Sequence, residues 1–212
     1  PCPRCRLGSS SSARASRPAS AVGVSSNVRR RNPHRRMPLV IVSGAPGVGK
    51  TTLLAELSRL GYVTVAESAR EVISERLARG ESPRPEPEVF AREVYRRDRL
   101  KYLAHEDRDQ PTFFDRSAVE SLGMIHEVHP LSAAALQVEL SPFSFHRTVF
   151  LLPPWEEIYC TDAERDHTFA HALRVHESLL AWYGKCGYKI REVPRTSVPE
   201  RAHHLLHALN DA

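Results

Sequence analysis

Residues 44–51 read Gly44-Ala45-Pro46-Gly47-Val48-Gly49-Lys50-Thr51, which satisfies G-x-x-x-x-G-K-[ST] in full. No other feature constrains the chain as much, because this loop works only between a buried strand and a helix. The flanks agree with that demand. Leu39-Val40-Ile41-Val42-Ser43 is a continuous apolar run of the kind expected in a strand covered on both faces. Leu53, Leu54, Leu57 and Leu60 recur at helical spacing from Lys50 onward, with Gly61 as the stop. Glycines let the backbone curl around a phosphate with successive N–H groups pointing inward, and the helix adds its N-terminal dipole. Contacts to a nucleoside triphosphate are therefore expected from Gly44, Ala45, Pro46, Gly47, Val48, Gly49, Lys50, Thr51 and Thr52. Lys50 would meet the β- and γ-phosphates and the Thr51 hydroxyl would meet Mg²⁺. Average residue usage gives the pattern about a one-in-a-hundred chance of arising anywhere in such a chain.

The segments that follow alternate between strand-like and helix-like. Strands are expected at 62–66, 112–115, 148–152 and 189–193, and helices at 68–79, 88–106, 118–127, 132–140, 168–185 and 198–210. A proline-broken loop spans 81–87, and Pro153-Pro154-Trp155 closes the fourth strand. The expected fold is α/β: a P-loop NTPase with a mostly parallel five-stranded sheet and helices on both faces.

Charge divides the chain of 212 residues in two. It holds 30 Lys+Arg against 25 Asp+Glu, a formal net charge of +5. Nine of the arginines, from Arg4 to Arg36, fall in residues 1–37, which contain no acid and no lysine. The other 21 basic side chains, in residues 38–212, face all 25 acids, a net of −4. The first stretch is also serine-rich, with Ser9-Ser10-Ser11-Ser12, and its apolar residues are isolated, so it is expected to be disordered. Three readings of it stand: an organellar transit peptide, a basic arm for nucleic acid or anionic lipid, or an extended reading frame with translation beginning at Met37. The last is the working expectation, with 38–212 as the P-loop NTPase, kinase-like domain. A body of net −4 is not expected to bind nucleic acid. No apolar run approaches the ~18 residues of a membrane span. Cys2-x2-Cys5, Cys160 and Cys186 give no disulfide framework, so a cytoplasmic setting is expected.

Several side chains beyond the loop carry the right chemistry. Asp115 ends the third strand, where a carboxylate would hold Mg²⁺ directly or through water; the alternative is a strand-end cap of the helix that starts near Ser117. Its neighbour Arg116 can grip phosphate oxygens through its planar fork. Glu67 follows the second strand and could take the proton of an acceptor hydroxyl as it attacks the γ-phosphate, or it could cap the next helix. Arg70 and Glu71 fit a solvated helix face. Arg165, in Asp162-Ala163-Glu164-Arg165-Asp166, stands where a lid would reach in to stabilise the transferring phosphoryl group, though a surface arginine also fits. Trp155 and Tyr159 suit either a base-stacking role or the core.

Ser43 to Thr52, Glu67-Ser68-Ala69-Arg70-Glu71 and Phe114-Asp115-Arg116 together resemble the AAA domain of the NadR and TRPL-translocation-defect type. Pro153-Pro154-Trp155-Glu156-Glu157-Ile158-Tyr159, Glu192-Val193-Pro194 and Ser197-Val198-Pro199-Glu200-Arg201-Ala202 strengthen that resemblance, which runs from about Leu39 to Leu209. It implies a kinase-like P-loop fold. It also implies a choice of activities, since such domains include nicotinamide riboside kinases, nucleotide-binding regulators that contact phospholipids, and small predicted ATPases. An Asp-Arg-Ser triplet resembles that of nucleoside and nucleotide kinases, and a strand-end glutamate at position 67 resembles the base of deoxynucleoside kinases.

Two functions remain in view. One is phosphoryl transfer from ATP to a small-molecule hydroxyl, or ATP hydrolysis, using Lys50, Glu67, Asp115, Arg116 and Arg165. The other is a nucleotide-dependent switch that binds a protein or phospholipid partner. GTP is the other candidate nucleotide; the absence of a guanine-selecting N-K-x-D after the fourth strand tilts the expectation to ATP.

Overall fold

A computed structural model describes residues 37–107, 109–158 and 168–210. Within them the strands are β1 (Leu39–Gly44), β2 (Val63–Val65), β3 (Thr112–Asp115), β4 (Thr148–Leu152) and β5 (Lys189–Glu192). The helices are α1 (Lys50–Arg59), α2 (Ser68–Ala78), α3 (Pro87–Leu103), α4 (Ala118–Val128), α5 (Ala133–Leu140), α6 (Phe169–Lys185) and α7 (Val198–Asn210), with a 3-10 turn at Glu156–Ile158. The expected elements are all present, with small shifts at their ends. Pro87 opens α3 at its first position, where its fixed φ suits a helix start and its missing N–H costs nothing. Tyr62 is left out of β2 and turns its ring edge-on to Phe113, 5.5 Å between centroids.

The sheet is parallel throughout, in the order β2-β3-β1-β4-β5. From β1 the chain crosses to β2 on one side, and from β3 it crosses to β4 on the other. Right-handed crossovers in opposite directions send their helices to opposite faces. Strand side chains alternate accordingly. Val40, Val42, Phe113, Phe150 and Leu152 pack with Leu53 and Leu57 of α1 and Leu205 of α7. Leu39, Ile41, Phe114, Val149 and Leu151 pack with Tyr102 of α3 and Leu179 and Tyr183 of α6. The continuous apolar strands follow from this double cover, since each residue has a helix to face on one side or the other.

Such a sheet gathers its functional loops at the carboxyl ends of the strands, in the crevice where crossovers diverge. Here that crevice lies between β1 and β3. The register sets the ends level, with Val42 opposite Asp115, Phe114 opposite Val65, and Gly44 opposite Leu152. Among the described residues no helix is long and apolar enough to cross a membrane.

Candidate functional site

The loop after β1 is built by backbone freedom. Gly44 has φ +148°, and a Cβ there would lie 2.7 Å from the Leu152 carbonyl oxygen. Gly49 caps α1 in the left-handed region at φ 85°, ψ 24°, so the chain reverses into the helix with its first N–H groups turned toward the crevice. Lys50, 5% exposed, folds back over the loop and donates to the carbonyls of Gly44 at 2.8 Å and Ala45 at 3.0 Å. Burial lowers the Lys50 pKa to about 8; Arg116 adds to that effect, and Asp115, Glu67 and Glu120 oppose it. Thr51 and Thr52 are exposed at the helix start, and the Thr52 hydroxyl donates to Gly49 O at 2.9 Å.

At the ends of β2 and β3 the structure brings Glu67, Asp115 and Arg116 together. Glu67 occupies the N-cap position of α2 but makes no side-chain capping hydrogen bond. Its carboxylate accepts instead from Arg116 Nε at 2.9 Å and Arg70 Nε at 3.0 Å. Burial alone would raise the Glu67 pKa, but Arg116, Lys50 and Arg70 outweigh it and hold the carboxyl below the usual glutamate value. Arg116 stands at φ 65°, a left-handed conformation shared by no other non-glycine among the described residues. Such backbone costs on the order of 1 kcal/mol and persists where its surroundings fix it. The Arg116 N–H donates to Val42 O at 3.0 Å, and its guanidinium is gripped on both sides, by Glu67 and by Glu120 of α4.

Asp115 is 9% exposed, and its Oδ1 is buried with no hydrogen-bond partner. Burial raises its pKa, opposed by Lys50 and Arg116 and reinforced by Glu67 and Glu120. Ser117, rather than Asp115, takes the N-cap position of α4. An orphaned carboxylate oxygen beside a phosphate loop suits a hard cation that takes its remaining ligands from water and phosphate. No group of three or more His, Cys, Asp or Glu side chains is placed to hold a metal among the described residues. A cation here would therefore depend on Thr51, Asp115 and the nucleotide together.

Two cavities flank the loop. One, of about 400 Å³, is walled by Gly47, Lys50, Thr51, Thr52, Arg70 and Arg201, among others. The other, of about 580 Å³, lies between α2, α3, α4 and α6 and is walled by Pro46, Glu67, Asp98, Arg116, Glu120 and Trp182, among others. Consecutive loop residues, Pro46 and Gly47, thus each line a different cavity. Arg165 and Tyr159 lie outside the described residues. Trp155 stands under the guanidinium of Arg201, whose Cζ is 5.7 Å from the ring centroid. Arg70 pairs with Glu67, and Glu71 pairs with Lys101 at 2.9 Å, so neither is merely solvated.

Three side chains enter the site without a sequence signal strong enough to single them out. Glu120 is buried and accepts from the Ser43 hydroxyl, from Arg116 and, at 2.9 Å, from the Tyr183 phenol. Its one local hint is the four-residue spacing from Arg116 on the first turn of α4. Asp98 of α3 is 8% exposed at the wall of the larger cavity. Arg201 of α7 is 4% exposed and reaches the loop from the far end of the chain.

A family model described as an AAA domain matches residues 39–201. Among solved structures the chain is similar to deoxyadenosine kinase from M. mycoides, with 14% identity, 82% of this chain and 100% of that chain covered, and a TM-score of 0.56. It is similar to the NadR protein solved in complex with NR, with 17% identity, 82% of this chain and 51% of that one covered, and a TM-score of 0.56. Thymidylate kinase from Candida albicans gives 12% identity, 83% and 92% coverage, and a TM-score of 0.52. At such identities the likeness is one of fold, and this chain spans about half of the NadR chain. No curated protein matches it. With its phosphate loop leaving β1 and its matched segment running from β1 to Arg201, the chain belongs to the AAA-domain family, and its P-loop fold is similar to that of the kinase structures and of NadR.

Proposed function

We propose that this protein is a Mg²⁺-dependent phosphotransferase that moves the γ-phosphoryl group of ATP to the hydroxyl of a small, nucleoside-like molecule. The observation that carries the reading is the carboxylate of Glu67. It stands unused as a helix cap, ionised by Arg116 and Lys50, on the wall of a second cavity beside the phosphate loop. A hydrolase or a switch has no need of that second, partly apolar chamber. The kinase-like neighbours, one a nucleoside kinase and one solved with NR, support the same class of acceptor.

The chemistry needs few protein steps. The acceptor hydroxyl gives its proton to Glu67 as its oxygen forms a bond to the γ-phosphorus, and the bond from that phosphorus to the β,γ-bridging oxygen breaks to release ADP. Lys50 holds the β- and γ-oxygens, and Arg116 offsets charge on the transferring group. Thr51 and Asp115 would hold Mg²⁺, which supplies further neutralisation of the phosphate charge. Residues 38–212 are the working unit in this reading, in a cytoplasmic setting.

The test is an ATP-consumption screen of the protein against nucleosides, nicotinamide riboside and other small hydroxyl compounds, with GTP run in parallel. Stimulation of ADP formation by at least one acceptor, with stoichiometric phosphorylated product, is expected. ATP consumption that no acceptor stimulates would overturn the kinase reading and leave hydrolysis.

A further inference from the structure

Arg201 is a buried arginine with no ion pair among the described residues. It sits on the first turn of α7, 4% exposed. Other buried or half-buried arginines here are ion-paired: Arg116 with Glu67 and Glu120, Arg76 with Glu81 and Glu93, Arg97 with Glu71 and Glu75. Among the described residues no carboxylate pairs with Arg201. Its Nη1 makes one long contact of 3.5 Å to the Val48 carbonyl, its Nε is buried with no partner, and its plane rests over Trp155. Its acidic neighbour is committed elsewhere. Glu200 turns back to accept from the Ser197 N–H at 3.1 Å and hydroxyl at 2.8 Å at the start of α7.

An arginine stays charged when buried, and a buried charge with unfilled donors is costly unless something anionic completes it. Burial also pushes its pKa below the ordinary arginine value. What the guanidinium faces identifies the anion. It lines the smaller cavity together with Gly47, Gly49, Lys50, Thr51 and Thr52. A Cβ on Gly49 would lie 2.9 Å from its Nη1, so the fork lies directly against the phosphate loop at the start of α1. The neighbouring groups are the ones that receive phosphate oxygens in the proposed function.

We propose that Arg201 is a phosphate-binding residue: its guanidinium, held between the loop at Gly49 and the face of Trp155, contacts the polyphosphate chain of the bound nucleoside triphosphate from the α7 side, opposite Lys50. This rests on the reading that the loop binds a nucleoside triphosphate. It adds a third basic contact that comes from the last helix rather than from the loop or from β3. Trp155 supplies a platform for the fork where no acid holds it.

Isothermal titration of the full chain with ATP and with inorganic triphosphate, for the wild type, Arg201→Gln and Arg201→Lys, tests this. Arg201→Gln should weaken both ligands by about tenfold to a hundredfold, the loss expected for a charge-assisted bidentate contact. Arg201→Lys should fall between, because a point charge replaces a fork. Weakening of ATP alone, with inorganic triphosphate unaffected, would assign Arg201 to the base and overturn the proposal. Lowered thermal stability with both affinities intact would make it a structural pin for Trp155 and overturn it equally. Should Arg201→Gln not fold, Arg201→Lys decides: wild-type affinity for both ligands refutes the phosphate contact. A wild-type protein that binds neither ligand would instead refute the nucleotide reading itself, and this contact with it.

Discussion

Arg116 Nε donates to Oε1 of Glu67 at 2.9 Å, joining the end of β3 to the end of β2. The pair brings a carboxylate and a guanidinium to one wall of the larger cavity, although 49 positions separate the two residues. It also explains the unusual backbone of Arg116. A positive φ at a long side chain is tolerated because Val42 holds its N–H while Glu67 and Glu120 hold its guanidinium from two directions.

Replacing Glu67 with Gln should lower the rate of phosphoryl transfer by about 10²–10⁴, the usual contribution of a positioned general base. Nucleotide affinity should be unchanged, since Glu67 lines the cavity away from Thr51 and Thr52. Acceptor-stimulated ADP formation and a nucleotide titration on the same preparation separate the two. Lost nucleotide binding would make Glu67 a structural partner of Arg116 and nothing more. Because its carboxyl is held below the usual glutamate range, the wild-type rate should show no loss of activity from this group between about pH 6 and 7.

Lys50→Ala should reduce turnover about a hundredfold or more, in line with removing one preorganised donor at a site of developing charge. The wild-type side chain carries its own pH signature. Burial lowers its pKa to about 8, so the free protein presents a charged ammonium below that pH and a neutral amine above it. Affinity for the triphosphate should therefore fall as pH rises through about 8. Lys50→Arg, charged throughout, should show a flat profile there. Affinity titrations at several pH values check both statements.

The loop, the individual strands and the strand-end acids are legible from short stretches of sequence, because each follows from neighbours a few residues away. Lys50 and Thr51 follow from an eight-residue pattern, and Asp115 from its place at the end of the short strand Thr112-Phe113-Phe114-Asp115. Glu120 and Arg201 do not follow in this way. Glu120 acquires its meaning from Ser43, 77 positions distant, and Arg201 from Val48, 153 positions distant. On their own helices both look like ordinary charged residues of a first turn. Only the packing of α4 against the sheet and of α7 beside α1 buries them and brings them to the loop.

Gly44→Ala should destabilise the protein by about 2–5 kcal/mol, combining strain at a positive φ with overpacking. The added methyl would meet the Leu152 carbonyl oxygen at 2.7 Å, and Val48 Cγ2 at 3.0 Å, at a φ of +148°. The carbonyl cannot easily retreat, because Leu152 is paired with Gly44 in the sheet register. Urea denaturation measures the cost. Stability equal to the wild type would show that the loop can shift away from β4 at no expense.

Asp98 gives a prediction whose sign depends on where its charge is lost. Burial raises its pKa to about 6, against the opposing influence of the Ser68 and Ser121 hydroxyls and Lys101, whereas an aspartate in the unfolded chain titrates near ~3.9. Between those two values the folded state binds the extra proton, so stability contributed by this site falls as pH rises through the window. Below about pH 4 both states hold the proton and the site is neutral in its effect. Above about pH 6 the folded protein carries the full cost of a buried carboxylate. An asparagine at this position does not titrate, so Asp98→Asn should gain on the wild type as pH rises from about 4 to 7, by on the order of 2 kcal/mol. Paired urea denaturations across that range read the difference directly. A difference that stays constant would mean that Asp98 is ionised in the folded protein as readily as in the unfolded one.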